Sequence, residues 1–175
     1  MRFAVIVCCV AFASEASAVE MLRNKTVVVD RKGECNNAPT AVAQTTMGGQ
    51  LRFYFSNERI YQSFAADSIK VLPYVPDGRE HIIYALEDGK RFPVTTQASW
   101  DGKLLSASYR YELDGAAYRT NRQAAYQVEV DVAAGQCRVR ADEFSWRQVQ
   151  KNGTLFRDSR CRVTTSTCSV VSGRK

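Results

Sequence analysis

The chain has 175 residues, 45% of them hydrophobic and 24% charged, with a formal net charge of +6. This size and balance fit one domain with a single hydrophobic core. No repeat of solenoid length appears, and no low-complexity tract or interdomain linker interrupts the chain.

The chain opens on a secretory pattern. Met1-Arg2 is a short positive start, Phe3 to Ala13 is an apolar run, and small residues follow up to Ala16-x-Ala18. This is the layout of a signal peptide cleaved after Ala18, and the run is too short to span a bilayer as a helix. A lipoprotein reading of Cys8 or Cys9 fails because Val7 is not the small residue such a site needs. The expectation is a signal peptide at 1–18 and one exported domain at 19–175, periplasmic or extracellular. No later segment approaches a transmembrane span.

The mature part reads as strands. Glycine turn signals recur at Asp77-Gly78, Asp88-Gly89, Asp101-Gly102, Asp114-Gly115 and Asn152-Gly153, dipeptides that tolerate the positive φ of tight hairpins. Between them apolar and polar residues alternate. Leu51, Phe53 and Phe55 share a face, as do Tyr109, Tyr111 and Leu113, and Tyr126, Val128, Val130 and Val132. One buried and one wet face suit an antiparallel sheet. About ten strands are expected, near 25–30, 50–56, 59–64, 69–75, 80–87, 91–97, 103–113, 121–133, 136–149 and 154–163, with a short last one near 168–171. Residues 36–50, small and polar with Pro39, Gly48 and Gly49, read as a long loop. Ser56-Asn57-Glu58 and Ala133-Ala134-Gly135 read as turns. So many half-wet strands must curl to close a core, and the run of hairpins favours an up-and-down barrel over a sandwich.

Four cysteines follow the signal: Cys35, Cys137, Cys161 and Cys168. An even count in an exported chain points to two disulfides, with three connectivities open. A metal site would want close pairs completed by histidine, and His81 is the only histidine. No cofactor is expected. The charge is uneven. Residues 19–136 balance, whereas 137–175 carry nine basic side chains against Asp142, Glu143 and Asp158. Arg138, Arg140, Arg147, Lys151, Arg157, Arg160 and Arg162 are the candidate anion-binding residues, since arginine suits bidentate contact with carboxylate or phosphate. A solvated strand face explains the same residues.

Catalytic patterns are absent. Any triad must use His81, placed by its neighbours at a strand edge. The i, i+2 pairs Glu112/Asp114 and Glu129/Asp131 match a solvent face as well as a glycosidase pair. Asn24-Lys25-Thr26 and Asn152-Gly153-Thr154 fit the N-glycosylation pattern, but the signal has a bacterial look.

Leu22 to Val29 (LRNKTVVV), Arg52 to Phe64 (RFYFSNERIYQSF), Val128 to Cys137 (VEVDVAAGQC) and Cys168 to Gly173 (CSVVSG) carry a resemblance. The chain resembles a group of small exported proteins of soil- and root-associated alphaproteobacteria that has no established activity. The resemblance implies location and fold. It also implies the pairs Cys137–Cys168 and Cys35–Cys161. The expectation is a non-enzymatic binding domain that meets an anionic polysaccharide or lipopolysaccharide through its basic C-terminal strands. The alternative is a small ligand or protein partner at a barrel mouth or sheet edge, and an enzyme comes third. Nucleic acid is disfavoured by location.

Overall fold

The computed structural model describes residues 22–38, 45–64, 71–87, 89–115, 118–131, 133–149 and 151–173. The expected signal peptide lies outside them, as do Val132 and Asp88. Ten strands follow one another: β1 (Lys25–Ala38), β2 (Thr45–Phe55), β3 (Ile60–Phe64), β4 (Leu72–Tyr74), β5 (Asp77–Glu87), β6 (Lys90–Trp100), β7 (Leu104–Asp114), β8 (Tyr118–Asp131), β9 (Gln136–Val149) and β10 (Leu155–Ser172). They form one antiparallel sheet in the order β4-β3-β2-β1-β10-β9-β8-β7-β6-β5. Each strand pairs with the next except across β4 and β5, and the first strand pairs with the last. That last pairing rolls the meander into a barrel with a seam between β4 and β5, where β4 packs against β6.

Alternation sorts the side chains. Val27 and Val29, Leu51, Phe53 and Phe55, Leu105 to Tyr111 at odd positions, and Ala124 to Val130 at even positions are buried in one cluster. Each large apolar side chain removed from water here contributes about 1.5–3 kcal/mol. Aromatic rings fill the centre. Phe53 meets Tyr126 edge-on at 5.9 Å, Phe55 meets Trp100 at 5.2 Å, and Phe92 lies 5.1 Å from Tyr111. Several inward polar groups are paired. Glu143 takes the Arg31 guanidinium and accepts the Tyr126 hydroxyl at 2.9 Å, tying β1, β8 and β9 together. Tyr74 donates to Gln62. Burial pushes the hydroxyls of Tyr74 and Tyr126 well above the usual tyrosine range.

Both expected turns form. Ser56 N bonds Arg59 O at 2.9 Å, and Ala134 N bonds the Asp131 carboxylate at 3.0 Å. Gly89, Gly102 and Gly153 take positive φ as hairpin turns require. Gly115 does not; its turn closes through Gly115 N to Tyr118 O at 2.9 Å.

Three expectations are corrected. The loop at 36–50 is mostly strand: β1 runs to Ala38 and β2 begins at Thr45, so only 39–44 lie outside the described residues. Backbone pairing of Gly48 with Lys32 and of Gly49 with Arg31 holds this glycine-containing stretch in the ladder. Asp77-Gly78 is not a hairpin turn. It opens β5, where Asp77 pairs Ser99 and Glu80 pairs Gln97, so β5 carries one extra residue. With Gly78 at φ 78°, this is a glycine bulge.

The stretches 154–163 and 168–171 are one strand, β10. Thr165 pairs Lys32 and Val163 pairs Gly33, leaving Thr164 as an extra residue. On the other side Ser169 pairs Gln136 and Arg162 pairs Asp142, again one residue long on β10. The bulge swaps which parity faces inward. Cys161, opposite Cys35, and Cys168, opposite Val29, therefore both reach the inner face although seven residues separate them. The bridges are Cys35–Cys161, with Cα atoms 4.0 Å apart, and Cys137–Cys168, at 5.2 Å. These are the pairs the resemblance implies. Each staples β10 to a different neighbour.

Candidate functional site

The outward face of the barrel holds a trough of about 830 Å³ that crosses β5 to β10 and β1. Two adjacent register rows build it. The first runs Glu34, Arg162, Asp142, Ala125, Ser108, Gln97, Glu80, each residue opposite the next. The second runs Arg160, Phe144, Gln123, Arg110, Thr95 in the same way. Small side chains, Ala125 and Ser108, sit mid-row with long ones at both ends, so the middle lies low. The bulge at Thr164 sits beside Arg162, at a point where a bulged strand bends and twists more strongly.

Charges in the trough are interleaved. Arg162 Nε donates to Asp142 Oδ1 at 3.0 Å, and Arg110 Nη2 to Glu80 Oε2 at 3.0 Å. The Arg160 guanidinium lies 5.2 Å from the Phe144 ring centre, in cation–π range. A guanidinium carries five donors, and one contact with a carboxylate oxygen occupies one of them. Arg110 and Arg162 are more than half exposed. The trough thus offers planar donors, carboxylate and amide acceptors, hydroxyls and one aromatic face.

The candidate anion-binding residues fall in three places. Arg160 and Arg162 line the trough. Arg140 and Arg138 are exposed on the same outward face of β9, one and two rows from Asp142, opposite Gln127 and Glu129. Arg147 and Arg157 stand opposite one another in the β9–β10 register, and Lys151 is exposed in the turn beyond β9. Arg110, Gln97, Gln123 and Glu80 join the site only through the sheet. Their distance along the chain from the basic tail hid them.

Other singled-out residues have partners. His81 Nε2 lies 3.0 and 3.1 Å from the two Asp77 oxygens. That hydrogen bond, then the Arg79 N–H, holds the Asp77 carboxyl below its usual range. Glu112 accepts from Arg119 at 2.7 Å and Asn121 at 3.1 Å, and Glu129 pairs Lys103 at 2.7 Å. Both carboxyls are lowered, first by those side-chain hydrogen bonds. Among the described residues, no three His, Cys, Asp or Glu are grouped to hold a metal ion. No helix of the described residues is long and apolar enough to cross a membrane.

No protein-family model, curated protein or solved structure matches the chain.

Proposed function

We propose that the protein is a non-enzymatic, exported binding domain that takes an acidic polysaccharide chain across its strands in the outward trough. The observation that carries this reading is the register row itself. Seven strands at a spacing of about 4.8 Å give about 29 Å of continuous groove, long in one direction like a polymer segment. Arg110, Arg160 and Arg162 supply donors for glycan carboxylates or sulfates, while Asp142, Glu80 and Gln123 accept from hydroxyls. Arg138 and Arg140 raise the positive field on the same face. The filled aromatic interior supports a surface site over an internal one. Two disulfides are consistent with an oxidising compartment.

The test is retention of the mature protein on immobilised acidic and neutral glycans across a salt gradient. Retention on the acidic column should fall with salt, and Arg110, Arg160 and Arg162 changed together to Ser should lower affinity at least about tenfold. Equal retention of that variant, or salt-independent binding, overturns the proposal.

A further inference from the structure

On the two register rows of the trough, three guanidiniums stand among three carboxylates: Arg110, Arg160 and Arg162 against Glu34, Glu80 and Asp142. The charge along the rows therefore cancels. The positive groups are also gathered in two places. Arg160 and Arg162 lie together on β10, and Arg110 lies on β7. Three strand spacings separate these anchors, about 14 Å. Between them β9 brings the Asp142 carboxylate, and β8 brings only the exposed, uncharged Ala125 and Gln123.

We propose that the trough selects a sparsely charged polysaccharide, with one acidic sugar in each repeat and neutral sugars between, over a polyuronate. This rests on the acidic-glycan reading above and narrows it to a substrate class. In a sparsely charged chain, one acidic sugar meets Arg160 and Arg162 and a later one meets Arg110. The neutral sugars between lie over Ala125 and Gln123, whose amide serves their hydroxyls. Ala125 stands opposite Ser108, and two such short side chains leave height for a bulky ring.

A polyuronate carries a carboxylate on every sugar. Some then fall over Asp142 and Glu80, and like charges set together across an interface oppose binding. The arginines do not absorb the excess. Arg162 Nε donates to Asp142 Oδ1 and Arg110 Nη2 to Glu80 Oε2, both at 3.0 Å. Each of these guanidiniums keeps donors for an incoming carboxylate, while its own acid stays beside it and repels the next. The field of the whole chain acts the other way, since a net charge of +6 attracts any polyanion. At about 0.15 M salt the screening length is about 8 Å, shorter than the gap between the anchors, so contacts decide the selection.

Isothermal titration of the mature protein at that salt concentration tests this with length-matched fragments of three polymers. They are deacylated gellan, with one uronate in each repeat, polygalacturonate, and uncharged dextran. Gellan fragments should bind at least about tenfold more tightly than polygalacturonate fragments. Glu80→Gln together with Asp142→Asn keeps the side-chain shapes and removes both charges. It should raise polygalacturonate affinity and cut the preference at least about threefold. Both side chains are about half exposed, and circular dichroism and the thermal transition verify that the variant folds. Polygalacturonate bound as tightly as gellan, or a preference unmoved in the variant, overturns the selectivity and leaves the acidic-glycan reading standing. Dextran bound as tightly as gellan, or no binding of either acidic polymer, overturns both.

Discussion

Strand β5 carries a bulge at Gly78 and strand β10 one at Thr164, besides an irregularity near its start between Leu155 and Arg157, and the two bulges have opposite results. In β10 the bulge at Thr164 lies between two neighbours, β1 and β9. It turns Cys161 and Cys168 to the same side, and both cysteines are bridged to those neighbours. In β5 the bulge at Gly78 has, among the described residues, a neighbouring strand on one side only. Beyond it the strand presents Ile82, Tyr84 and Leu86 to solvent. A bulge re-aims side chains in either place, and the number of neighbouring strands decides whether they land in a core or at an edge.

Deleting the extra residue separates the two cases most sharply. Without Thr164, one side of β10 must present its alternate face, so Cys161 or Cys168 leaves the interior. We expect two free thiols by titration and no cooperative unfolding transition. Deleting Gly78 shifts only Asp77 in the ladder, and the expected cost is about 1–2 kcal/mol in a urea titration. Equal losses from the two deletions would dissolve the distinction.

The interior wall beside β10 predicts the next effect. Glu143 holds Arg31 and Tyr126 in a nearly buried cluster. Glu143→Ala leaves the Arg31 charge inside with its main partner gone, which should cost about 3–5 kcal/mol. Denaturant midpoints at neutral pH measure it, and a loss near zero would mean that water already reaches the cluster.

A smaller effect appears in alkali. The Tyr74 and Tyr126 hydroxyls are raised by burial, so above about pH 10 the unfolded chain loses these protons while the folded chain keeps them. The unfolded state then binds fewer protons, and stability should fall with rising pH. Tyr74→Phe should flatten that slope between about pH 10 and 11 in thermal scans. An unchanged slope would show that other groups set the alkaline limit.

Much of this fold is legible in the chain, for stated physical reasons. Strand β9 follows from the turns at Ala133-Ala134-Gly135 and Asn152-Gly153, and the inner faces of β2, β7 and β8 follow from alternation. The bulge in β10 does not, because Val163-Thr164-Thr165-Ser166-Thr167 has no alternation to break. The strand ends around Gly48 and Gly49 are missed for a related reason. Small residues carry no face, and their pairing is decided by β1. In the trough, Arg160 and Arg162 are visible as an i, i+2 pair. Arg110 and Gln97 enter through register, which requires every hairpin between β5 and β10 to be counted correctly. The closure at Asp114 opposite Arg119 already fixes Arg110 opposite Gln123, so the signal exists but is spread over the whole sheet.

The pairing of β1 with β10 has a consequence for the order in which the molecule is made. The first strand to emerge waits for the last, and about 125 residues of chain must be synthesised between Cys35 and its partner. Until then β1 has β2 on one side and an empty ladder on the other. Hairpins from β5 to β9 can form locally as they appear, whereas the ring closes in a single late event. Cys137 and Cys168 lie close enough in sequence to meet as soon as β10 arrives. The Cys35–Cys161 bridge then locks the two termini of the meander, so the oxidant that completes this protein acts on an already assembled wall.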